Sequence, residues 1–346
     1  MTSSGRYTYA REILSKKATK VLSIIKRSFS NSDSATIAIK NKLFDALVKP
    51  VLLYACEIWG PELLSYRTHF DKSTIEQVHI KFCKQTLNIP WYTENIACRA
   101  ELGRYPLSID IKASIFSYWQ RLKHSCSNVL LREAFQYATT STPFFDVTIN
   151  EEITRGYQVT ESTEPVTRQH IKNGRLKINK NLRNQYSQNW LETKNSSSTT
   201  SREKFTHKEV KKSYQFENYL KTVTNSAHRT SLTRLRLGCH ALRIQTGKYE
   251  NKGASIPVEE RTCLVCKENC VEHEQHFLMY CQGYATIRVE LHSHISNKDA
   301  LYANLSDNER TKYLLRADNR VTSKIIGKYI NLMFKKRKEI LNLQTK

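Results

Sequence analysis

Long apolar stretches are missing from this sequence, and no run approaches the roughly 18 residues that a membrane-spanning helix needs. Its beginning, MTSSGRYTYAREILSKK, also lacks the apolar core of a secretory signal peptide. These two absences argue against an integral membrane protein. They predict an intracellular protein, in the cytoplasm or the nucleus, with no membrane partner.

Glycine is scarce, with 10 among 346 residues, and few stretches alternate between apolar and polar residues as strands do. The fold class predicted is mostly α. We expect an N-terminal helical bundle followed by a basic helical region with a small zinc knuckle. The predicted boundaries are 1–138 for the bundle, 139–203 for a basic, low-complexity linker, 204–300 for basic helices with the knuckle, and 301–346 for a C-terminal basic helix.

Apolar residues at helical spacing predict individual helices within these regions. The predicted spans are 6–29, 37–49, 74–87, 97–104, 107–122, 204–220, 284–295 and 323–343. Pro50 is expected to end the second of them. The segment that follows, VLLYACEIWG at 51–60, is apolar at nearly every position, so we expect it to be buried on several sides.

Acidic residues are also few: 32 Asp and Glu stand against 55 Lys and Arg, giving a formal charge of +23 and a pI near 9.6. Such an excess predicts a polyanionic partner, and nucleic acid is favoured over a membrane surface. Two basic stretches supply the candidate phosphate contacts. Their residues are Arg168, Lys172, Arg175, Lys177, Lys180 and Arg183, then Arg229, Arg234, Arg236, Arg243 and Lys248.

The first basic stretch, 166–190, has no acidic residue and carries Tyr186 and Trp190 near its end. Basic residues interleaved with aromatic ones suit phosphate neutralisation combined with base stacking. The same pattern fits a solvated helix whose aromatic side chains pack on the bundle. Residue type alone leaves both interpretations open.

Nine cysteines are scattered over the chain, an odd number that makes a disulfide framework improbable. Five lie among apolar neighbours and are interpreted as buried thiols: Cys56, Cys83, Cys98, Cys126 and Cys239.

The remaining cysteines lie between 261 and 288, where the spacing suits a metal. Two residues separate Cys263 from Cys266, nine separate Cys266 from His276, and four separate His276 from Cys281. A Cys-x2-Cys turn places two thiolates on one side of a tetrahedral Zn²⁺ ion, and a helical turn over HFLMYC would add the other two donors. Three thiolates and one imidazole leave no open position, so the predicted site is structural. Cys270 or His273 could replace a ligand, and buried or free thiols are the alternative to a metal site.

Three stretches together resemble the C-terminal third of reverse transcriptases from jockey-like non-LTR retrotransposons. They are VLLYACEIWG, ELGRYPLSIDIK at 101–112, and LTRLRLGCHALRIQTGKY with IPVEERTCLVC and VEHEQHFLMYC. The resemblance implies a thumb-like helical bundle, a basic region and a zinc knuckle with ligands Cys263, Cys266, His276 and Cys281. His273 departs from the family, which usually has an acidic residue there, so the choice of histidine stays open.

One absence decides the expected activity. Reverse transcription needs two or three carboxylates holding two Mg²⁺ ions, two of them in an adjacent Asp-Asp pair, and this sequence has no such pair. The chain alone is therefore expected to have no catalytic residues, although its relatives in that family are RNA-directed DNA polymerases.

The leading prediction is a zinc-dependent module that binds RNA, DNA or both. The first alternative is a polymerase by inheritance, which primer extension with Mg²⁺ would support. The second is a helical scaffold in which the bundle binds a protein, such as a full-length reverse transcriptase.

Overall fold

The structure is a computed structural model, and it describes residues 6–28, 36–65, 70–125, 128–141, 167–196, 207, 210–249, 255–266 and 268–344. Fifteen α-helices lie in these ranges, and the β pairing described is limited to two isolated bridges, Leu102 with Phe216 and Thr262 with Val271. The prediction of a mostly α fold is confirmed. None of the described helices combines the length and the apolarity that crossing a membrane requires.

Eight helices precede residue 142. They are α1 (Thr8–Ser28), α2 (Ile37–Leu43), α3 (Lys49–Leu52), α4 (Cys56–Ser65), α5 (Thr74–Leu87), α6 (Asn95–Glu101), α7 (Leu107–Ser125) and α8 (Val129–Ser141). Seven follow: α9 (Arg168–Ser196), α10 (Tyr219–Thr222), α11 (Ser226–Arg236), α12 (Arg243–Thr246), α13 (Ala285–Ser296), α14 (Asp307–Arg316) and α15 (Thr322–Gln344).

Pro50 does not end the second helix as predicted. A π-helical turn, Phe44–Val48, follows α2, and Pro50 then lies in the first turn of α3. A proline is tolerated there because the amide that it lacks would have no partner inside the helix. The expectation that 51–60 is buried all round is also wrong, since the Tyr54 side chain is 72% exposed and Ile58 is 50% exposed.

The chain folds into two compact units. The first comprises 1–27, 43–80 and 105–193, and the second comprises 28–42, 81–104 and 194–346. Helices α4 and α7 pack together in the first unit. Gly60 permits this approach, because a Cβ there would lie 2.5 Å from Cγ2 of Ile111.

These units differ from the predicted boundaries in three ways. Residues 28–42 and 81–104, predicted to be part of the N-terminal bundle, belong to the second unit. Helix α9 is part of the first unit instead of a linker, since Asn179 donates to Asp110 of α7 at 3.1 Å and Arg175 donates to Ser114 at 2.9 Å. Helix α15 packs against α11 and α13 within the second unit, so 301–346 is not a separate region.

Two predictions lie partly outside the described residues. Residues 142–166 and 197–206 are not described, nor is Cys126. The predicted helix 204–220 is wrong for 211–218, where the chain runs through bends into the short helix α10. Cys56, Cys83, Cys98 and Cys239 are buried free thiols, as predicted.

Candidate metal centre and cationic surface

A short hairpin and one helical turn bring the predicted metal ligands together. The backbone amide of Cys263 donates to Cys270 O at 2.9 Å and that of Glu272 donates to Arg261 O at 2.9 Å, which pairs 261–263 with 270–272. The turn His276–Tyr280 is π-helical and closes with a bond from the Cys281 amide to His276 O. The expected helical turn over HFLMYC is therefore present.

The four donor atoms of Cys263, Cys266, His276 and Cys281 all lie within 4.8 Å of one another. Sγ of Cys263 and Sγ of Cys281 are 3.8 Å apart, and Sγ of Cys266 is 3.5 Å from Nε2 of His276. Around a tetrahedral zinc ion with Zn–S of about 2.3 Å and Zn–N of about 2.0–2.1 Å, the corresponding separations are about 3.8 Å and about 3.5 Å. The cluster can therefore hold a metal ion.

Electrostatics at the cluster favour a cation. The sulfurs of Cys263 and Cys281 share a hydrogen bond, and this contact lowers the pKa of Cys263 while raising the pKa of Cys281. One thiolate therefore makes ionisation of its neighbour costly. A divalent cation between the sulfurs reverses that cost, because it stabilises every thiolate that it binds.

The alternative ligands, Cys270 and His273, are not members of the cluster. Cys270 is exposed. Nδ1 of His273 accepts a hydrogen bond from the His276 amide at 3.1 Å, so His273 supports the turn that carries His276. This geometry favours the predicted ligand set over either replacement.

Two residues next to the cluster were missed by the sequence analysis. Glu272 is buried, and its carboxylate accepts two hydrogen bonds from Arg337 of α15, at 3.0 and 2.7 Å. Its Oε1 also lies 3.7 Å from Sγ of Cys263. Burial raises the pKa of Glu272, and Arg337 opposes that rise. No spacing rule links residues 65 positions apart, so only the fold could reveal this pair.

The basic residues of the first stretch lie on α9, which exposes Arg168, Lys172, Arg175, Lys177 and Lys180 and half-buries Arg183. Arg168, Lys172 and Arg175 share one face of the helix, because they are four and three positions apart. They line a cavity of about 700 Å³ in the first unit together with Lys49 and Arg121. Two acidic side chains, of Asp45 and Glu57, also line it, and Lys49 pairs with Asp110 at 2.7 Å.

The aromatic residues of α9 pack inside the first unit. Trp190 is 8% exposed, and the Tyr186 ring meets the Tyr105 ring edge-on with centroids 5.9 Å apart. Of the two interpretations of these residues, the structure favours packing over base stacking.

The second basic stretch is placed differently. Arg236 is fully buried between Glu101, at 2.6 Å, and Glu217, at 2.8 Å, so the prediction that it contacts phosphate is wrong. Its guanidinium and the buried ammonium of Lys211 together compensate the two carboxylates.

The other arginines of α11 bind backbone oxygens. Arg229 donates to Val223 O and Thr224 O at 2.9 and 3.0 Å, and Arg234 donates twice to Asn88 O, at 3.1 and 3.0 Å. Arg243 and Lys248 are half-buried, and Lys248 donates to Gln245 at 2.9 Å.

In comparisons with family models, curated proteins and solved structures, none matches this chain.

Proposed function

We propose that this chain is a zinc-dependent nucleic-acid-binding module that does not itself polymerise. The metal-binding part of the proposal is supported by the Cys3His cluster, in which two of the donor separations match tetrahedral zinc coordination and all four donors lie within 4.8 Å of one another. Four protein ligands leave no position for a reacting water, so the role proposed for the ion is structural. The sequence resemblance supports an origin in the C-terminal part of a non-LTR reverse transcriptase.

The nucleic-acid half rests on charge placement. Five cationic side chains line the cavity in the first unit, and three of them come from one face of α9. The chain as a whole carries a formal charge of +23. Lysine and arginine side chains bind phosphates irrespective of sequence, and they do so with strong salt dependence because counterions are released.

Metal analysis of the purified chain tests the first half. We expect about one zinc per chain, its loss in Cys263→Ser, and its retention in Cys270→Ser, which removes an exposed cysteine of the same hairpin. A folded wild-type chain without metal would contradict the proposed centre.

Titration of labelled single strands and duplexes at several salt concentrations tests the second half. If six to ten phosphates are contacted, affinity falls by about 10³–10⁵ between 50 and 200 mM salt. Lys172→Ala should lower the slope of log affinity against log salt by about 1. Lys298→Ala, an exposed lysine outside both basic stretches, is the control and should change it little. Weak association that ignores salt would contradict the proposal.

A further inference from the structure

Three large aromatic side chains are exposed on one surface of the second unit. Trp91 is 84% exposed, Tyr249 70% and Tyr92 56%. The centroids of the Trp91 and Tyr92 rings are 6.1 Å apart, and those of Tyr92 and Tyr249 are 6.4 Å apart. We call these three residues the aromatic strip. A contiguous patch of exposed aromatic side chains indicates a binding surface more often than a single exposed aromatic side chain does.

A turn after α5 holds the first two residues of the strip outward. Helix α5 ends before Asn88, which has a positive φ of 53°, and a backbone bond from Thr93 N to Pro90 O closes the turn that carries Trp91 and Tyr92. Nζ of Lys84 donates to Trp91 O. These bonds fix the backbone under both rings, so less conformational entropy is lost when a ligand stacks on them.

A second turn, after α12, presents Tyr249. Its amide donates to Thr246 O at 3.0 Å, and Gly247 lies against Arg261, where a Cβ would come within 2.8 Å of Cγ. Arg261 in turn donates to Ile244 O at 2.8 Å and to Ile256 O at 2.9 Å. The strip is therefore built on backbone held from both sides.

The surroundings of the strip combine positive charge with hydrogen-bonding groups, one of them a carboxylate. Arg234 lies close enough to Tyr92 for its charge to act on the phenol, and Lys248 precedes Tyr249. A cavity of about 230 Å³ opens beside the two tyrosines and is lined by polar residues that include Thr93, Glu94, Gln245 and Lys248. A carboxylate in that lining disfavours a phosphate inside the cavity but accepts hydrogen bonds from the amino group of a base.

We propose that the aromatic strip stacks the bases of single-stranded nucleic acid, with one base edge directed into the adjacent cavity and the phosphates near Arg234 and Lys248. This inference rests on the proposed function and extends it from phosphate binding to unpaired strands. Aromatic side chains stack on any base, because every base has a π face. In a duplex those faces are already covered, so a duplex should engage the strip less.

Tryptophan fluorescence provides a direct readout. The chain has four tryptophans, and Trp59, Trp119 and Trp190 are 2%, 9% and 8% exposed, whereas Trp91 is 84% exposed. Stacking of a base on Trp91 should quench its emission. We expect quenching when a single-stranded oligonucleotide is added to the zinc-loaded chain, less quenching with a duplex of equal length, and none in Trp91→Phe.

Affinity measurements on variants separate stacking from apolar contact. Trp91→Phe keeps an aromatic face and should bind a single strand nearly as well as the wild type does. Trp91→Leu and Tyr249→Leu keep apolar area but lose the π face, and each should weaken single-strand binding about tenfold. Tyr54→Leu is the matched control, because Tyr54 is 72% exposed in the first unit, and it should bind like the wild type.

The outcomes of these experiments test the stacking inference separately from the proposed nucleic-acid-binding function. If binding is salt-sensitive but causes no quenching and does not change in Trp91→Leu, bases do not stack on the aromatic strip. The proposed function would remain in that case. The same pattern is expected if the strip docks a protein instead. Failure of every oligonucleotide to bind would overturn both.

Discussion

Helices α9 and α11 both carry several basic residues but place their charges in opposite ways. Helix α9 exposes five of its basic side chains, and three of them line one cavity. Helix α11 directs Arg229 and Arg234 to backbone oxygens and buries Arg236 between two carboxylates. Helix α9 is therefore the stronger candidate for phosphate contacts, because more of its basic side chains stay exposed.

The nearest acceptors explain this difference. The residues that follow the ends of α10 and α5, Val223–Thr224 and Asn88, have carbonyl oxygens within reach of α11. Glu101 supplies a buried carboxylate. On α9, Arg175 donates to Ser114 and Arg183 lies 3.9 Å from Asp110, but five of the basic side chains are exposed to solvent. Substitutions in the two helices should accordingly affect different quantities, folding stability in one and salt-dependent binding in the other.

The largest effect is expected for Arg236→Met, which leaves the carboxylates of Glu101 and Glu217 buried without their guanidinium. Breaking a buried pair in this way costs about 3–5 kcal/mol of unfolding free energy. Urea unfolding followed by circular dichroism measures it. In the double variant with Glu101→Gln the loss should be smaller than the sum of the single losses, since the two residues interact directly. Additive losses would mean that the pair contributes little.

Acid should remove the contribution of Glu101. Burial alone would raise its pKa, but Arg236, His207 and Lys211 together outweigh burial and hold the pKa well below 4.5. A carboxyl whose pKa is lowered by folding stabilises the fold above its unfolded value, and this stability is lost as pH falls toward the folded value. The stability difference between wild type and Glu101→Gln should therefore shrink below about pH 4.5. Loss of metal from the proposed centre would affect both chains alike, and a constant difference would contradict the assignment.

A smaller effect is expected from Arg229→Ala. It removes two hydrogen bonds to the carbonyls that follow α10 and should cost about 1–2 kcal/mol of unfolding free energy. The salt dependence of nucleic-acid binding should not change. Lys172→Ala should do the reverse, altering the salt dependence without altering stability. Identical behaviour of the two variants would remove the distinction between the helices.

Sequence rules predicted correctly those helix boundaries that neighbouring residues determine. The span 74–87 agrees with α5 at both ends, because apolar spacing defines the helix and Asn88 with Pro90 ends it. The prediction for Pro50 was wrong because a proline that would end a helix from its middle is tolerated in a first turn. That first turn exists because a π-helical turn precedes it, and such a turn has no recognised sequence signal.

The metal ligands were predictable because the spacing of a zinc site is itself a geometric constraint. The predicted set is the one that converges. The burial of Arg236 in an ion pair was not predictable, since its partner Glu101 lies 135 positions away in the sequence. The same holds for Trp91 and Tyr249, which only the folded chain brings to one surface. Whether nucleic acid binds, and whether the chain derives from a retrotransposon, stay predictions.

The contact between Glu272 and Arg337 makes α15 a structural part of the candidate metal centre. Without Arg337 the buried carboxylate of Glu272 would lose two hydrogen bonds and its counter-charge, and would keep the bond from the Arg243 amide. Its negative charge would then lie without a counter-charge 3.7 Å from Sγ of Cys263. A chain shortened before position 337 would retain all four ligands and yet hold its ion less firmly. Excised versions of the knuckle alone would therefore understate how tightly the intact protein retains metal.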